Sequence, residues 1–130
     1  LTSEPGKNGD RPPAGNVANL ILFQKFEDFI DYFEPIVERF PRYEMYALCS
    51  DIKQCMNKIL ELIIVTNKTG NKLPGWHEID TRLEVLKHYV RRSRKKGSKY
   101  LSIKSYETAV KKLSEVGKIL GGIIKKGGRC

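Results

Sequence analysis

An all-α fold, an antiparallel up-down four-helix bundle, is predicted by three features of this 130-residue sequence. Four segments place apolar residues at helical intervals, and each is closed by a proline, a glycine or a short polar stretch. The segments are similar in length, roughly 20 residues, and their links are short, which favours antiparallel neighbours. One core suffices for a chain of this length, and 40% hydrophobic content is enough to build it. The expected organisation is a disordered leader over residues 1–16, rich in Gly and Pro, a bundle over 17–126, and a flexible tail over 127–130.

The first helix is expected from about Val17 to Phe40, burying Phe26, Phe29, Ile30, Phe33, Ile36, Val37 and Phe40. Glu27, Asp31, Glu34 and Glu38 recur on its opposite side as an acidic stripe, and Pro35 is expected to kink it or restart its last turn. The second helix is read from about Arg42 to Asn67, with Tyr46, Cys49, Ile52, Met56, Ile59, Leu60 and Ile63 inward and Gly70 and Pro74 marking its exit. Trp76 opens the third, from about His77 to Lys96, on a narrow stripe of Ile79, Leu83, Leu86 and Val90 that stops at Gly97. Ser102 caps the fourth, which ends near Lys126 before Gly127 and Gly128. Its apolar stripe is read as Tyr106, Val110, Leu113, Gly117, Leu120 and Ile124.

Charge is unevenly placed along the chain. Residues 1–68 hold 8 Lys+Arg against 10 Asp+Glu, and residues 69–130 hold 16 against 5, so halves of −2 and +11 make the net +9. On the fourth helix Lys104, Lys111, Lys118 and Lys125 recur every seven residues. A seven-residue repeat drifts only ~20° per step on an α-helix, so they form one cationic back. On the third, Lys87, Arg91 and Lys95 are spaced by four beside the apolar stripe, with Arg92, Arg94, Lys96 and Lys99 around them. Such a field suits nucleic acid, an anionic membrane or an acidic partner, and an ordinary solvated face has the same composition. Tyr89 and Tyr100 bracket the basic run and are placed to stack on unpaired bases, although the spacing of Tyr89 favours the core.

Other chemistries find little support. Three cysteines are too few for a disulfide scaffold, and Cys49 and Cys55, six apart, point in different directions on a helix. No His/Cys pair has zinc-ligand spacing, so neither metal nor cofactor is expected, and His77 and His88 read as polar surface residues. Gly122 and Gly127 have the separation of a phosphate-binding loop, yet Gly128-Arg129 replaces its Lys-Ser/Thr and no strand precedes it. No apolar run approaches a membrane span, and the leader is unlike a signal peptide. Gly117 and Gly121 lie one turn apart inside the fourth helix, at a cost of roughly 1 kcal/mol each relative to Ala. Close approach of a neighbouring helix is the expected reason for them.

Six stretches in order carry a family resemblance: Asn19-Leu-Ile-Leu-Phe-Gln-Lys-Phe-Glu-Asp-Phe29, Phe40-Pro41-Arg42, Asn71-Lys72-Leu73-Pro74, Leu83 to Arg91, Ser102 to Glu107, and Glu115-Val-Gly-Lys-Ile-Leu-Gly-Gly-Ile-Ile124. Over about residues 17–126 the chain resembles the accessory variability determinant (Avd) proteins of diversity-generating retroelements. Four-helix proteins encoded in ribosomal RNA intervening sequences share the first half, and a generic interaction bundle of that type, without a polymerase partner, is the alternative.

The Avd resemblance implies a non-catalytic basic bundle that assembles as a ring of five. It implies binding to the element's reverse transcriptase and contact with its template RNA, and with cDNA, in support of adenine-directed mutagenic copying. The cytoplasm of a bacterial or phage-infected host, with no membrane partner, is the compartment that goes with this role. The resemblance places polymerase or nucleic-acid contact at Lys87 and Arg91, where this chain has the family's usual basic residues. Arg92, Arg94, Lys95, Lys104, Lys111, Lys118 and Lys125 join them as candidates on charge alone. The family often has Trp where this chain has Ile123. The acidic stripe is expected to face a basic helix of a neighbouring subunit, since contact between unlike surfaces closes rings.

Overall fold

The computed structural model describes the backbone of residues 14–44 and 47–127 and the side chains of 17–43 and 47–127. Most of the expected leader, the end of the expected tail and Tyr46 lie outside the described residues. Four helices span Ala14–Val37 (α1), Leu48–Asn67 (α2), Leu73–Lys95 (α3) and Ile103–Lys125 (α4), and no strand occurs among the described residues. Helix α1 packs on α2 and α4, and α3 packs on α2 and α4, so the four are arranged as a square in chain order. Short links between successive neighbours make that square an antiparallel bundle.

Each helix exists because one stripe of it is removed from water. Phe26, Phe29 and Phe33 run down α1 in a stacked series, with ring centroids 6.0 and 5.2 Å apart, while Ile30 and Ile36 only border the core. Helix α1 continues two residues past Pro35, whose missing N–H removes a ladder bond. The chain then tightens, with Arg39 and Phe40 donating to carbonyls three residues back.

Helix α2 begins at Leu48, not at the expected Arg42. Arg42–Glu44 form one 3-10 turn, and Tyr43 is 80% exposed; among the described residues after it, burial starts at Leu48 and Cys49. Helix α3 starts earlier than expected, at Leu73, with Pro74 in the first turn where an amide hydrogen has no helical acceptor. Trp76 is therefore inside the helix and fully buried, although its indole N–H has no partner among the described residues. The end of α3 is as expected: Gly97 takes φ +120°, a left-handed conformation that side chains resist. The Ser102 hydroxyl accepts the Ser105 amide at 3.1 Å and starts α4.

Two expectations about α4 are corrected. Its buried stripe is Ala109, Leu113, Val116, Leu120 and Ile123, so the helix is rotated away from the expected one. Val110 is 39% exposed, and Tyr106 and Ile124 are half-buried at the edge of the core. Apolar side chains flank the buried stripe on both sides, at Tyr106, Val110, Ile119 and Ile124, and α1 and α3 together select which are covered. The second correction concerns Gly117 and Gly121. A Cβ at Gly117 would meet only the Lys87 Nζ, at 3.8 Å, and one at Gly121 would meet nothing within 4 Å. No helix of this chain approaches either glycine. Close approach occurs instead at Gly75, where a Cβ would run into the side chain of buried Thr66 on α2.

The ends of the bundle are fastened differently from its sides. Phe40, after α1, meets Tyr100, before α4, with ring centroids 5.1 Å apart, and Lys96 stands 5.5 Å over the Tyr100 ring. Along the sides, Lys53 on α2 donates to Glu38, just past the end of α1, at 3.0 Å, and Lys25 reaches Glu115 at 3.9 Å. Hydrogen bonding to Glu38, and then its negative charge, push the Lys53 ammonium above its ordinary pKa.

Candidate nucleic-acid interface

Helices α3 and α4 enclose one groove whose cations stand on its α3 bank. Lys87, Val90 and Arg91 of α3 line it with Tyr106, Val110, Leu113 and Ser114 of α4, enclosing about 120 Å³. Arg91 is one turn from Lys87, and Lys95 one turn further. Lys111 and Lys118 of α4 are exposed but do not line this groove, and Lys118 lines a separate one of about 240 Å³ with Ala18 and Ile21 of α1. The groove floor is apolar and continues into the open space over Gly117 and Gly121. Lys87 leans over that floor while its Nζ donates to Glu84 at 3.3 Å. An exposed pair of this kind contributes only ~0–1 kcal/mol, so an incoming anion can displace the carboxylate.

The remaining candidate cations are dispersed. Lys95 and Lys104 lie towards the end of the bundle where α3 hands over to α4, and Lys125 lies at the opposite end; all three are exposed. Arg92 follows Tyr89 by three residues and so stands on the α2 side of α3. Arg94 has a structural task, since its guanidinium donates to the Leu101 carbonyl at 2.9 Å and clamps the α3–α4 link. Tyr100 is 7% exposed and packed against Phe40, which removes it as a platform for bases. Tyr89 packs at the core edge, as its spacing predicts. The aromatic ring that does face the cationic groove is Tyr106. Sequence reasoning assigned it to the core stripe; its sequence spacing from Val110 and Ser114, on the shoulder next to the lysines, was the available signal.

The acidic residues of α1 are exposed at Glu27 and Asp31 and half-buried at Glu34, while Glu38 is already held by Lys53. Two other grooves carry less charge logic. One of about 480 Å³ between α2 and α3 mixes Asp51, Glu61, Lys58 and Arg82 around Cys55. Burial pushes the Cys55 thiol up, as it does that of Cys49, so neither is an activated nucleophile. No cluster of metal-ligating side chains occurs among the described residues, and no described helix is long and apolar enough to cross a membrane.

A four-helix bundle with net charge +9 and cations on one groove bank defines the class, a small basic bundle. Within that class the chain belongs to the bAvd-like family, whose model matches residues 20–127. That membership suggests an accessory role in diversity-generating retroelements. No curated protein matches the chain.

Proposed function

We propose that this chain is a non-catalytic accessory subunit that binds the reverse transcriptase of a diversity-generating retroelement and its template RNA during mutagenic cDNA synthesis. The carrying observation is the α3–α4 groove, where Lys87 and Arg91 stand over an apolar floor that includes Tyr106, on a chain of the bAvd-like family. Phosphate contact by lysine rows positions a strand without reading its bases. A ring of five subunits belongs to the same proposal, with Glu27, Asp31 and Glu34 of α1 turned towards a basic helix of the next subunit.

Three measurements test this reading. RNA affinity should fall linearly with the logarithm of salt concentration, because each neutralised phosphate releases counterions. Co-expression with the element's reverse transcriptase should recover a complex. Light scattering should give the mass of five chains at low salt, and charge reversal at Glu27 and Asp31 should lower it. A salt-insensitive RNA affinity, or a polymerase that never co-purifies, would overturn the assignment and leave a plain interaction bundle of the intervening-sequence kind.

A further inference from the structure

We infer that the α3–α4 groove accepts a single-stranded RNA segment, with one base laid against the Tyr106 ring and the phosphates on either side held by Lys87 and Arg91. This rests on the RNA-binding reading above and adds to it the form of the nucleic acid and the residue that receives a base. The groove combines two features that a duplex does not use together. Its α3 bank is cationic at Lys87 and Arg91, and its floor, formed by Val90, Tyr106, Val110 and Leu113, is apolar.

A duplex presents phosphates outward and keeps its bases stacked inside, so it would engage the banks and leave the floor wet. An unpaired strand has flat, weakly hydrated base faces to bury, and these stack on aromatic side chains whatever their sequence. The enclosed volume of about 120 Å³ is of the size of one base. The Ser114 hydroxyl at its edge offers one donor and acceptor to a base rim. Beyond Ser114 the strand meets Gly117, where only the Lys87 ammonium is near, and Gly121, with nothing within 4 Å of an added Cβ. At the other end Ile103, 60% exposed, extends the apolar strip along the same shoulder of α4. An acidic protein segment would also satisfy the cations, but the one-turn spacing of Lys87, Arg91 and Lys95 along α3 matches a polymer with a regular phosphate repeat better.

The test compares the full chain with its Tyr106→Leu, Tyr106→Phe and Val110→Asp variants by fluorescence anisotropy. The probes are an oligoadenylate strand and the same strand annealed to oligouridylate, at one salt concentration. The parent chain should bind the single strand more tightly than the duplex. Tyr106→Leu should weaken single-strand binding by about fivefold or more, and duplex binding by less than about twofold, while Tyr106→Phe, which keeps the ring, should retain affinity. Val110→Asp puts a carboxylate at a surface position of the same strip. It should weaken single-strand binding without loss of helical circular dichroism, which keeps the test valid if Tyr106→Leu unfolds. Equal losses on both probes, or unchanged single-strand affinity in both variants, overturn the base-binding groove while RNA contact through the lysines survives. Absence of RNA binding by the parent chain overturns both readings. Loss of polymerase association with RNA affinity intact assigns the groove to an acidic protein segment and overturns the proposal.

Discussion

The α2–α3 seam and the α3–α4 groove share one helix and behave in opposite ways. At the seam, Gly75 is pressed against Thr66, so that a single added methyl would collide with a buried, branched side chain. At the groove, Gly117 and Gly121 have open space above them, and only the ammonium of Lys87 is near. A glycine in a helix thus has two quite different meanings within one bundle. Where two helices converge it is required by packing, and where they diverge it leaves a surface bare. Charge follows the same division. The α2–α3 groove mixes acids and bases, whereas the α3–α4 groove is lined by Lys87 and Arg91 and by no acid.

The largest effect should come from reversing the groove's charge. Lys87→Glu combined with Arg91→Glu should weaken RNA binding on the order of a hundredfold at low salt and reduce the salt slope by about two, with helicity unchanged. Normal affinity in that variant would remove the α3 bank from the interface. The same reversal at Lys53 and Lys58, on α2, should have little effect, and a comparable loss there would erase the contrast between the two sides.

Next in size is the seam itself. Gly75→Ala should cost about 1–3 kcal/mol in urea unfolding, because neither α3 backbone nor Thr66 has room to retreat. Unchanged stability would mean that the seam is looser than its geometry. The matching change at the groove should act in the other direction. Gly117→Ala and Gly121→Ala should each stabilise by up to ~1 kcal/mol, since alanine restricts the unfolded chain and meets no obstacle. A drop in solution mass with those alanines would show instead that a second copy packs closely there.

The smallest effect is on pH dependence. Burial raises the pKa of Cys49 and Cys55 in the folded chain, so the unfolded chain loses their protons first as pH rises. Stability from these thiols is complete below the unfolded value of 9.0 and is lost as pH climbs through it towards the folded values. Melting temperature should therefore fall between about pH 8 and about pH 10, and Cys49→Ala with Cys55→Ala should flatten that part of the profile.

The architecture was legible residue by residue where a signal is local. The stripe of Ile79, Leu83, Leu86 and Val90, the Ser102 cap and the Gly97 stop all follow from helical period and backbone chemistry, and all are found. Boundaries failed where a neighbour decides. Pro74 reads as a breaker in a sequence, yet at the first turn of α3 it is harmless. Residues 42–44 continue a helical pattern in the sequence, yet Arg42 and Tyr43 are exposed and bury no face.

The sequence by itself determined the number and order of helices, the accumulation of +11 in the second half and the positions of Lys87 and Arg91 on one ridge. These depend on periodicity and composition, which are properties of a single segment. Only the tertiary structure decided which cations line the groove, that Arg94 clamps a link, and that Tyr106 faces the cations while Tyr100 is buried. The reason is rotational. Helix α4 has an apolar surface wider than any one contact can cover, and a turn of about 40° about its axis exchanges core for groove without changing a residue. That angle is set by how α1 and α3 fill the space on either side, and no segment carries it alone.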